Sequence, residues 1–113
     1  MRPNRFKILL ACEEIFINIC NYAYSNIPGD IFVEIAIIND EVFEIKFVDN
    51  GVRFDPTSFE VDEKEVYKNF KSRRVGGLGI FIAKQIMDKI EYEYVENKNS
   101  LKMTKILVSP LQI

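Results

Sequence analysis

Three short stretches of the sequence hold residues whose types and spacing suit chemistry. Glu14 and Asn18 stand four apart in CEEIFINIC, so on a helix they share one face and can reach a single small target together. A carboxylate and an amide oxygen are hard donors of the kind Mg2+ takes alongside water and phosphate oxygens. A carboxylate in that position can also polarise an attacking hydroxyl or water. A polar seam on a buried helix, satisfied by backbone or water, would have the same spacing. In Asp49-Asn50-Gly51, the aspartate has the parity of Phe43, Ile45 and Phe47, which puts a carboxylate on the apolar face at a strand's end. Such a carboxylate wants a donor. An exocyclic amino group such as adenine N6 supplies one, and Gly51 lets a flat ring approach the backbone. The same tripeptide is also ordinary turn chemistry. The third stretch, Gly76-Gly77-Leu78-Gly79, opens a helical pattern and offers free N–H groups and the positive end of a helix dipole to an anion, phosphate above all. Lys71, Arg73 and Arg74 lie just upstream and can fold over the same anion or sit as a solvated basic loop. No Lys-Ser/Thr follows the glycines, so this is not a P-loop, and a long loop rather than a first strand precedes them, so it is not a dinucleotide-binding turn.

The elements that must position these residues are readable in outline. From about Asn4 to Tyr24 the chain has no glycine or proline and is apolar around most of the helical wheel, which predicts a long, largely buried helix. Its recurring polar stripe is Lys7, Glu14, Asn18 and Asn21. Ile27–Asp30 (Ile-Pro-Gly-Asp) breaks the helix. Alternation then predicts strands over 31–38 and 42–49, turned at Asn39-Asp40 into an antiparallel hairpin. Residues 50–75 read as a mobile loop with one short helix. A second helix runs from the glycines to about Lys89 through Ile80, Ala83, Ile86 and Met87. Glu91–Glu96 and Leu101–Val108, joined by Asn97-Lys98-Asn99-Ser100, read as a closing hairpin. The fold class that follows is α+β, a two-layer sandwich with helices on one face of a largely antiparallel sheet.

Composition removes several functions. The 113 residues carry 15 Lys+Arg against 17 Asp+Glu, a formal charge of −2, without the clustered basic excess that nucleic acid or an anionic membrane demands. The length suits one domain over 1–113 with a single core. No apolar run is long enough to span a membrane and the start does not read as a secretion signal, so a cytoplasmic location is expected. There is no histidine, which eliminates Ser-His-Asp, Cys-His and His-metal mechanisms together and leaves acid–base work to carboxylates. On a helix, Cys12 and Cys20 would stand about 12 Å apart, beyond disulfide reach, so reduced core thiols are expected.

Taken jointly, a metal-ready helix stripe, an aspartate able to read adenine and a phosphate-ready helix start describe a site for ATP with Mg2+. In that order the residues resemble the GHKL ATPase superfamily, the Bergerat fold of histidine kinases, gyrase, a heat-shock chaperone and mismatch-repair ATPases. Glu14-x-x-x-Asn18 looks like the family's Asn box, Asp49-x-Gly51 like its first glycine box and Gly77-x-Gly79 like its second. The texture over residues 7 to 107 is most similar to the anti-sigma-factor serine/threonine kinase branch.

The resemblance implies that Glu14 is the catalytic base and that Asn18 coordinates Mg2+. It further implies that Asp49 binds the adenine amino group, that Gly51, Gly76, Gly77, Leu78 and Gly79 shape the pocket and bind phosphates, and that residues 53–75 form an ATP lid. Arg73 and Arg74 would stand in for a basic residue usual just before the glycines, where this chain has Val75, and Tyr22 stands where a histidine is common. Thr104 would place a hydroxyl near adenine. The strand and helix that usually precede the first helix would be lacking. The implied activity is that of an ATP-dependent serine/threonine protein kinase acting on a small antagonist, an anti-anti-sigma protein, with a sigma factor as second partner and a homodimer as its assembly. The alternative is a non-catalytic, nucleotide-gated partner-binding module.

Overall fold

The computed structural model describes residues 4–24, 28–58 and 78–107. Helix α1 spans Asn4–Asn18 and passes directly into a π-helical turn, Ile19–Ala23. Strands β1 (Ile31–Ile38) and β2 (Val42–Asp49) follow, then a 3-10 turn at Pro56–Ser58, helix α2 (Leu78–Ile86), and strands β3 (Lys89–Val95) and β4 (Lys98–Ile106). The strands form one antiparallel sheet in the order β1-β2-β4-β3.

Alternation in the strands decides which face the helices cover. Ile45 and Phe47 on β2 and Leu101 and Met103 on β4 are buried with Ala11, Ile15 and Ile19 of α1 and the π turn and Ile80 and Ala83 of α2. Residues of the other parity carry charge: Lys46 pairs with Glu34, and Lys102 with Glu44 and Glu91. Two helices on one face of a four-stranded antiparallel sheet make the α+β sandwich that the sequence predicts.

Several expectations need correction. Helix α1 is not buried all round: only the stripe through Ala11, Ile15, Asn18 and Ile19 is, while Phe6, Leu9 and Phe16 are exposed. The buried sheet residues come from β2 and β4, and on edge strand β1 only Ile31 packs against the core, while Ile35 and Ile37 are exposed. Cys20 is exposed and only Cys12 is part of the core's margin. Helix α2 stops at Ile86 rather than near Lys89, because Lys105 Nζ caps the Ile86 carbonyl at 3.0 Å and the Asp88 carboxylate accepts from the Ile106 amide. The closing hairpin turns on two residues, Glu96 and Asn97, with φ of 54° and 62°, the left-handed pair of a tight hairpin turn. Lys98, Asn99 and Ser100 are therefore strand, not loop.

Candidate functional site

Glu14 and Asn18 lie one turn apart on the face of α1 that meets the start of α2. Asn18 is 1% exposed, and its Nδ2 is the one buried side-chain polar atom among the described residues that has no hydrogen-bond partner. Such an orphan costs about 1–3 kcal/mol in an otherwise satisfied interior, which marks it as poised for something other than folding. Gly79, in the first turn of α2, faces it. A Cβ built on Gly79 would stand 2.9 Å from Glu14 Oε1 and 3.3 Å from Asn18 Nδ2. The first and third sequence stretches thus converge, with the first turn of α2 beside a carboxylate and an amide whose Nδ2 has no partner.

The second stretch is fastened to the same end of the helix. Asp49, 3% exposed, accepts at Oδ1 from the Gly51 amide (2.9 Å) and from Asn99 Nδ2 (2.8 Å). Gly51 packs so tightly on the π turn that a Cβ there would stand 2.4 Å from the Ala23 carbonyl oxygen, and the Val52 amide donates to that oxygen at 2.8 Å. The π turn widens the helix just past Asn18 and frees the carbonyl that receives Val52. Tyr24 adds a second fastening: its hydroxyl donates to the Asp30 carbonyl and accepts from the Asn50 amide. The end of β2 is thus held one turn beyond Asn18.

Thr104 is not brought to this place. It belongs to the β4 face opposite Asn99, pairs with Glu44 and Lys89, and lies five residues from Asn99, about 17 Å along a strand. The residue beside Asp49 is instead Asn99, directly opposite it in the β2–β4 register and 4% exposed. Its parity would have revealed it had the turn been read as two residues. Tyr92 donates to Asn99 Oδ1, and burial, the largest cause, pushes its phenol above the ordinary value. Arg53 opposes that rise and Asp55 adds to it. Tyr22 stacks on Phe54 with ring centroids 5.0 Å apart, and Arg53 lies over the ring of Tyr94. Arg73, Arg74, Gly76, Gly77 and most of the expected lid lie outside the described residues, and Leu78 is the first residue of α2.

Among the described residues there is no cluster of three acidic, cysteine or histidine ligands, so a cation here would take few protein donors and complete its shell with phosphate and water, as Mg2+ does. Asn18 fits that demand: its side chain is buried, its Nδ2 has no partner, and a turn of the amide would bring its oxygen to the space Gly79 leaves.

The family model described as the histidine kinase-like ATPase domain matches residues 3–105. Among known proteins, the serine-protein kinase RsbW of Listeria monocytogenes serotype 4a (strain HCC23) is 33% identical over 101 residues, 87% of this chain and 63% of that protein. RsbW of Listeria innocua serovar 6a is also 33% identical over 101 residues, with the same coverage. RsbW of Staphylococcus aureus (strain MSSA476) is 29% identical over 102 residues, 87% of this chain and 63% of that protein. The chain therefore spans a little under two thirds of the length of these relatives.

Proposed function

Since the chain belongs to the histidine kinase-like ATPase domain family, we propose that it binds ATP and transfers the γ-phosphoryl group to a serine or threonine of a small antagonist protein, in a partner-switching system that also engages a sigma factor. The observation that carries this reading is the meeting of Gly79 with Glu14 and Asn18. It supports the reading by bringing together a carboxylate, an amide and a helix start, the groups that the end of a triphosphate would need.

In this reading the adenine amino group donates to Asp49, which is buried with one oxygen already committed. Gly51, Gly77 and Gly79 keep side chains away from the nucleotide, and the helix-start amides and the upstream Arg73 and Arg74 neutralise phosphate charge. Asn18 would hold Mg2+, which supplies charge neutralisation across the phosphates. Glu14 accepts the proton of the substrate hydroxyl as its oxygen bonds to the γ-phosphorus. The bond from that phosphorus to the bridging oxygen breaks and ADP leaves with the electron pair. Little covalent work falls to the protein; positioning and charge supply the acceleration. The three relatives described above are each named a serine-protein kinase, which supports the reading.

The test is radiolabel transfer from [γ-32P]ATP to the antagonist. Glu14→Gln is expected to abolish transfer while ATP still binds. Undiminished transfer in that variant removes Glu14 from the chemistry, and ATP binding without any transfer by the unmutated chain leaves the gated binding module as the function.

A further inference from the structure

Asn99 has no part in the chemistry above, yet its side chain is the most heavily bonded in the described structure. Nδ2 donates to Asp49 Oδ1 at 2.8 Å and to the Val52 carbonyl at 2.9 Å. Oδ1 accepts from the Phe54 amide at 2.9 Å and from the Tyr92 hydroxyl. The amide's orientation is not a matter of choice, because a backbone N–H can only donate, so the atom facing Phe54 must be the oxygen and the atom facing Asp49 the nitrogen. All four hydrogen-bonding positions of the amide are used, so Asn99 has nothing left with which to touch a ligand.

Its effect falls on Asp49. The carboxylate receives both of its bonds, from Gly51 and from Asn99, on the same oxygen, and among the described residues none is made by Oδ2. Two donors on Oδ1 fix the rotation of the carboxylate and leave Oδ2 as the acceptor to be offered. A rigid acceptor matches a 6-amino purine and repels a 6-oxo purine, whose corresponding atom is itself an acceptor. The same amide ties the backbone at Val52 and Phe54 to β4, so the segment leaving Gly51 is set by the group that aims the carboxylate.

We propose that Asn99 is a positioning residue for base selection: by holding Asp49 Oδ1 it presents Oδ2 to the amino group of adenine and makes the site reject 6-oxo purines. This rests on the reading that Asp49 contacts the base. The experiment is calorimetric titration with ADP and IDP, which differ at position 6, on the unmutated chain and on Asn99→Asp and Asn99→Ser, with circular dichroism to check folding. The unmutated chain is expected to favour ADP by at least about tenfold, the loss that accompanies one hydrogen bond to a charged group. In both variants that ratio is expected to fall towards one. A merely structural Asn99 would weaken ADP and IDP in parallel, and a ratio unchanged in the folded variants overturns the proposal. If the unmutated chain does not distinguish the two nucleotides, the base contact at Asp49 itself is what fails. A third measurement needs no substitution. On saturation, the Asn99 side-chain amide protons are expected to shift in NMR spectra with ADP and much less with IDP, and equal shifts overturn the proposal whatever the variants do.

Discussion

Gly79 and Glu14 approach so closely that a single added methyl group on the glycine would stand 2.9 Å from the carboxylate oxygen. The atom it would meet is the free end of a flexible side chain. Gly79→Ala is therefore expected to fold with a stability loss below about 1 kcal/mol, since the glutamate can swing aside. The displaced carboxylate and the filled space should weaken ATP binding by roughly 1–2 kcal/mol, about tenfold. Thermal melting beside calorimetric titration separates the two effects, and parallel losses would contradict the argument.

Gly51 presents the opposite case. Its added Cβ would meet the Ala23 carbonyl at 2.4 Å, which is backbone. Relief requires moving the π turn or the end of β2, and either breaks the bond from Val52 to Ala23. Gly51→Ala is expected to cost roughly 2–3 kcal/mol, read as a lower midpoint in urea denaturation. A midpoint equal to that of Gly79→Ala would refute the distinction.

Asn18 separates stability from binding. Its Nδ2 is buried without a partner, so Asn18→Leu, close in volume, removes an unsatisfied polar group and is expected to leave the nucleotide-free chain unchanged or stabilised by about 1 kcal/mol. The same variant should lose the Mg2+-dependent part of ATP affinity. Urea melts without nucleotide and titrations with and without Mg2+ test both halves.

The two cysteines should react at different rates. Cys20 is exposed, whereas burial raises the Cys12 thiol above its ordinary value of 9.0. With a thiol-reactive dye at neutral pH, Cys20 is expected to label first and Cys12 only slowly, because the thiolate is the nucleophile. The same shift has a stability sign. The folded chain keeps the Cys12 proton to higher pH than the unfolded chain does, so this group takes nothing from stability below about pH 9 and lowers it as pH rises beyond. Cys12→Ser should reduce that alkaline slope.

Much of this arrangement was legible in the residues alone, for identifiable reasons. Strands β1 and β2 have the bounds that alternation predicts, because period two is unambiguous when large apolar residues fill every second place. The parity of Asp49 likewise placed it on the covered face. Helix α1 was harder to read: with apolar residues on every side, nothing in its pattern singles out the stripe that the sheet and α2 bury, and the exposed Phe6, Leu9 and Phe16 could not be told from the core. Asn99 was hidden by composition. Asn-Lys-Asn-Ser looks like a loop, and only the left-handed backbone at Glu96 and Asn97 shortens the turn enough to return Asn99 to the ladder.

That two-residue turn has a consequence for how the molecule can vary. Side chains on a strand change face with every step, so an insertion of one residue between Val95 and Lys98 would slide β3 and β4 past each other by an odd count or force a bulge. If β4 absorbed the slip, Lys98 would take the place opposite Asp49 and Asn99 would point to the back of the sheet. Substitutions at Glu96 and Asn97 leave the count intact, and glycine at Glu96 would ease its strained backbone. The hairpin's spelling is thus open to drift, whereas its length is fixed by a carboxylate fifty residues away.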